Sequence, residues 1–125
     1  VGEVGASTAE VAKNTVHAAI VGVSDVGGDV LVATRKAAGG VVTGASELGK
    51  DVESAAVAAV EGAIKAAGAV GKGSTEVARE AVVGVLRAAD EAGTEVGSSV
   101  RKALLSAASL PRDVIESAIK GSEKK

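Results

Sequence analysis

Hydrophobic and small residues recur along this chain at helical spacing, and no strand-like alternation is sustained. The stretch from Ser46 to Gly71 shows the pattern best. Residues four apart on a helix form rows along its surface. One row reads Leu48, Val52, Ala56, Val60, Ile64, Gly68, and the next reads Asp51, Ala55, Ala59, Ala63, Ala67, Gly71. A third, through Ser54, Ala58, Gly62 and Ala66, is also small. Only the row through Glu53, Val57, Glu61 and Lys65 carries charge in mid-helix. A helix apolar or small over most of its circumference is expected to be buried on several sides. An all-small row admits another backbone at close range, where many weak dispersion contacts accumulate.

The same reading places helices over 7–26, 30–38, 46–70, 74–92, 94–108 and 111–120. Ser7 with Glu10 fits a capping box. Breaks are expected at Gly27-Gly28, at Gly39-Gly40 with Gly44, at Gly71 with Gly73, and at Gly93. If those at 27–28 and 93 are bridged, the chain holds fewer, longer helices. Pro111 opens a new helix because it cannot continue an old one. A further row of small and β-branched residues runs through Ala81, Val85 and Ala89. A small or turn residue, an acid and then Val or Leu recur around Glu10, Asp29, Glu47, Glu76, Glu95 and Asp113, although Arg112 breaks the small-residue rule. The intervals between successive acids lie near sums of seven and eleven, the mark of an 18/11-residue helical repeat. Each acid is expected in the first turn of a helix, facing the positive end of its dipole.

Composition narrows the picture. The 125 residues suit one domain, expected over 1–120 with a frayed tail at 121–125. Phe, Tyr, Trp, Met and Cys are all absent. A core of Val, Ala, Ile and Leu alone must be thin, and self-association is the expected way to complete it. A net charge of −2 without aromatics argues against nucleic acid as a partner. The longest run free of Lys, Arg, Asp and Glu, Asn14 to Ser24, is too short for a membrane span. No signal-peptide pattern appears, and a start at Val1 reads as a processed product or a fragment. Nothing indicates a location in the cell.

Candidate chemistry is sparse. His17 is the single histidine, with no acid in helical reach to orient it, and reads as a surface or interface residue. Gly44-Ala45-Ser46-Glu47-Leu48-Gly49-Lys50 has the glycine and lysine spacing of a phosphate-binding loop. Asp51 stands where that motif needs Ser or Thr, and no good strand precedes it. Asp90-Glu91 and Asp51 with Glu53 read as solvated faces, because no convergent polar site surrounds them.

The blocks Gly44–Val52 and Val60–Ala67 resemble bacterial hendecad-repeat proteins of unknown function, rich in Ala, Gly and Val. That resemblance implies coiled-coil self-association and no catalytic activity. The segment Gly39-Gly40-Val41-Val42-Thr43-Gly44 resembles part of the synucleins, 11-residue-repeat proteins that fold as helices on anionic lipid.

The sequence therefore predicts an all-α protein of close-packed, small-residue-rich helices, either hairpins or long rods. The expected function is structural, as a homo-oligomeric coiled-coil bundle or filament subunit. No enzyme activity, cofactor, metal or small-molecule substrate is expected. The helix-packing interface is expected at Val52, Ala55, Ala59, Val60, Ala63, Ile64, Ala67, Ala81, Val85 and Ala89. The alternative is an amphipathic helical protein that binds lipid or granule surfaces.

Overall fold

The computed structural model describes residues 7–123, and these residues are all-α. Six helices follow in order: α1 (Thr8–Asp25), α2 (Val30–Glu47), α3 (Val52–Val70), α4 (Ser74–Ala92), α5 (Thr94–Ser106) and α6 (Arg112–Glu123). The breaks at 27–28 and 93 are real, so the chain is a set of short helices and not a rod.

Local chemistry explains most of the boundaries. The Ser7 hydroxyl accepts from the Glu10 amide at 3.1 Å, and the Glu10 carboxylate accepts from the Ser7 amide at 3.3 Å. This reciprocal pair is the expected capping box. Asp29 caps α2 by accepting from the amides of Leu31 and Val32. Asp51 caps α3 by accepting from the Ser54 amide at 3.0 Å and its hydroxyl at 2.8 Å. The first three helices end alike. Gly28, Lys50 and Lys72 donate their amides back to Val23, Ala45 and Ala67, at 2.8, 2.8 and 3.0 Å. Each such closure needs a left-handed residue just past the helix. Gly27, Gly49 and Gly71 supply it, with φ of 75°, 69° and 75°.

Two expected boundaries are corrected. The triplet Gly39, Gly40, Gly44 does not break α2, which runs on to Glu47. Gly39 lies against another helix: a Cβ there would stand 3.0 Å from the Gly84 carbonyl oxygen of α4. The glycine serves close packing and not a turn. The break comes instead at Gly49, so α3 starts at Val52 and not at residue 46. Glu47 is consequently the last residue of α2, outside any first turn. At the C-terminus α6 continues through residues 121–123, where a frayed tail was expected; 124 and 125 lie outside the described residues.

The spacing of the helices differs from that of the acids. Helices α1 to α4 start at Thr8, Val30, Val52 and Ser74, an even step of twenty-two. The positive-φ glycines Gly27, Gly49, Gly71 and Gly93 keep the same step. It equals two units of eleven, about six helical turns if all were helical.

Each helix packs on the next helix and on the next but one, and α1 touches neither α4, α5 nor α6. The result is two layers, with α1, α3 and α5 in one and α2, α4 and α6 in the other. Within a layer the closest approaches come at glycine. A methyl on Gly62 of α3 would overlap the Lys13 carbonyl of α1, and one on Gly84 of α4 would overlap the Arg35 carbonyl of α2. Both partners of the second contact lie one helix-to-helix step beyond those of the first. Ion pairs cross the same two seams, Lys13–Glu61 at 4.0 Å and Arg35–Glu80 at 3.0 Å.

The core lies between the layers. Val16, Ile20, Val42, Val60, Val82, Leu86, Leu104 and Ile115 are fully or almost fully buried there. Thr34 is the one buried polar residue among those described, and its hydroxyl donates to the Val30 carbonyl at 2.7 Å. Small side chains let the helices sit close enough that Val and Ala fill the space without aromatics.

Candidate interaction surface

The residues expected to pack helices together are placed inside this one chain. Ala55, Ala59, Val60, Ala63, Ala67, Ala81, Val85 and Ala89 are buried, while Val52 and Ile64 are partly buried against the same core. The small row of α3 is thus spent on its intrachain neighbours, above all α1, with which α3 makes its most extensive contact.

The other candidates have local roles. Residues 44–50 span the last turn of α2 and its closing turn. The amides of Gly49 and Lys50 donate to Ser46 and Ala45, so these two donors are already used. Asp51 is the α3 cap, and the Ser54 amide and hydroxyl hold its carboxyl below the usual aspartate range. Asp90 accepts from Arg101 at 2.8 and 3.1 Å, which likewise lowers its carboxyl. That pair ties α4 to α5. Ser109, before α6, donates its hydroxyl to Glu61 of α3. His17 is half-buried on α1. Among the described residues, no group of three or more His, Cys, Asp or Glu could hold a metal ion, and no helix is long and apolar enough to cross a membrane.

The surface that stands out is the N-terminal end of the stack, formed by α1 and α2. Positions related by the helix-to-helix step have different surroundings there. Ala59 and Ala81 are fully buried, yet their counterpart Ala37 is only partly covered. Gly62 and Gly84 are buried against a carbonyl of the helix two before, whereas Gly40 is exposed with open space above it. Gly44 also faces open space, but Ala66 and Ala88 are buried. On α1, Val11 is 51% exposed, while Ala55 and Val77, two and three steps on, are 1% and 0% exposed.

A pocket of about 410 Å³ opens at this end, lined by Val11, Ala12, Val41, Gly44, Ala45 and Leu48 among others. Leu48 on its rim is 73% exposed. One step along the chain, the space matching this pocket is closed, with Ala63, Ala66 and Ala67 each at 0% exposure. Exposed charge is present here too, at Glu10 on α1, at Lys36 and Glu47 on α2 and at Lys50 on the pocket wall. The charge-free run Asn14–Ser24 lies on α1, and among Ala33, Lys36, Ala37, Gly40 and Gly44 of α2 only Lys36 is charged. The sequence reading picked out that run only for its length. The signal that locates the surface is the alignment, helix by helix, of buried positions with unburied counterparts.

The chain matches no known protein family, no curated protein and no solved structure.

Proposed function

We propose that this is a structural helical-repeat protein that self-assembles and has no catalytic role. One observation carries the reading. At the N-terminal end, Val11, Leu48 and the pocket between them are uncovered, although the space matching that pocket deeper in the stack is closed. Association removes this apolar surface from water. The even helix-to-helix step, two units of eleven, supports the resemblance to hendecad-repeat proteins. The coiled-coil expectation is modified: the helices stack in two layers, and assembly joins stacks.

Sedimentation velocity across a dilution series tests the reading, with far-UV circular dichroism on the same samples. Self-assembly predicts a mass above 12.0 kDa that falls on dilution. A single species of 12.0 kDa at every concentration contradicts it. A coil spectrum in buffer that turns helical only on anionic vesicles would instead favour the lipid-surface alternative.

A further inference from the structure

We infer that the open face of α2 is the seat of one more helix of the same repeat, placed in the chain just before α1. The inference goes beyond the self-assembly reading. It names the element that fits the surface, and self-association is what the surface does while the seat is empty.

The seat is defined by packing that the chain makes twice. The Lys13 carbonyl of α1 lies where a methyl on Gly62 of α3 would stand, and the Arg35 carbonyl of α2 lies where one on Gly84 of α4 would stand. In both cases the carbonyl comes forty-nine positions before its glycine and belongs to the helix two before. Gly40 on α2 is one step of twenty-two before Gly62, and nothing lies within 4 Å of a methyl built on it. Its neighbours repeat the contrast. Ala37 is partly covered where Ala59 and Ala81 are buried, and Gly44 is open where Ala66 and Ala88 are buried. The filled interfaces are heterologous, each joining unlike faces of two helices in a fixed order. A helix that keeps that order continues them.

The residues before α1 keep the register of the array. Val1-Gly2-Glu3-Val4-Gly5 stands one step before Val23-Ser24-Asp25-Val26-Gly27 and two before Ala45-Ser46-Glu47-Leu48-Gly49. The later two segments are the ends of α1 and α2, each with the positive-φ glycine that closes it. In all three an acid, then Val or Leu, then Gly come in that order, and a helix-capping residue follows two positions on, at Ser7, Asp29 and Asp51. The sequence Val1–Gly5 is therefore the one with which helices of this array end. Charge adds a requirement. Arg35 pairs with Glu80 of α4, forty-five positions on. The position of α2 that corresponds to Glu80 is Lys36, which is exposed. The helix that fits has a small, apolar packing face and an acid opposite Lys36.

The test fuses a copy of residues 7–22, with Lys13→Glu in the copy, directly before Val1 of the full chain, which keeps the step of twenty-two. Position 13 of the copy then stands forty-nine positions before Gly40 and forty-five before Lys36. Gly40→Ala is made with and without the added segment. Thermal melts by circular dichroism compare the four proteins at the lowest concentration of a dilution series. Without the segment, Gly40→Ala gains helix propensity in open space and raises Tm by roughly 4 °C. With it, the methyl meets a backbone carbonyl, and the same substitution lowers Tm by roughly 4–8 °C. Gly40→Ala that raises Tm in both chains overturns the seat, as does an added segment that contributes no helical signal. Sedimentation of the same samples separates this proposal from self-assembly. An unextended chain that is monomeric at every concentration overturns self-assembly, while the reversed sign at Gly40 still supports the seat. An extended chain that associates as the unextended one does, with the sign reversed, supports the seat and moves self-assembly off this surface.

Discussion

The close approach of α1 and α3 at Gly62 gives a prediction whose sign is easily read. Replacing Gly62 by Ala gains about 1 kcal/mol of helix propensity. It also drives a methyl into the Lys13 carbonyl of α1. That carbonyl belongs to a helix backbone and cannot rotate away like a side chain, so α1 must shift as a body. Overpacking of this kind costs typically about 1–3 kcal/mol, and a backbone clash belongs at the upper end. The net expectation is a loss of about 1–2 kcal/mol, or roughly 4–8 °C in Tm for a chain of this size. Gly68 on the same helix is the control, because it is exposed with nothing within 4 Å of an added methyl. Gly68→Ala gains helix propensity without a clash and should raise Tm by roughly 4 °C. Thermal melts followed by far-UV circular dichroism at one fixed concentration separate the two. If both variants raise Tm, α1 and α3 do not meet at Gly62.

Other substitutions probe the core, the caps and the ion pairs. Ala59→Leu at a fully buried site should cost about 1–3 kcal/mol through overpacking, seen in urea titration, without changing the mass of the native species. Asp51→Ala removes the α3 cap and should cost about 1 kcal/mol, with the midpoint of chemical unfolding as readout. Asp51 and Asp90 both have folded-state pKa values below the unfolded one. Their contribution is therefore full above the ordinary aspartate pKa of about 4 and is lost as pH falls through the lowered values. Melts from neutral to acid pH should fall off on that limb, and Asp90→Asn should make the fall shallower.

How much the sequence revealed depended on whether the cause was local. The capping box at Ser7 and the break at Gly27-Gly28 are written in a few adjacent residues, and they appear as expected. So does the all-α class, which follows from helical spacing throughout. Gly39, Gly40 and Gly44 misled because a glycine that ends a helix and one that admits a neighbour look alike in a short window. The difference is non-local. Gly27, Gly49, Gly71 and Gly93 share an even step and positive φ, whereas Gly62 and Gly84 share that step and a neighbour's carbonyl. The acids obscured this because they play unequal parts. Asp29 is a cap, Glu10 and Glu76 sit in first turns, and Glu47 ends a helix. The small row of α3 was legible as a packing face. Which helix covers it was not, because that depends on α1 returning alongside α3 after α2 has intervened.

The central proposal is that the chain self-assembles through the apolar surface left open on α1 and α2. The chain has no cysteine, so a single introduced thiol reports on this directly. Ala37→Cys places it on the open α2 face, and Ser117→Cys places it on exposed α6. Both variants would be treated with a short thiol-to-thiol cross-linker under native conditions and resolved on a denaturing gel. Self-assembly through that surface predicts a doubled band for Ala37→Cys at concentrations where Ser117→Cys stays at 12.0 kDa. Cross-linking through Ser117→Cys alone, or through neither, would contradict it.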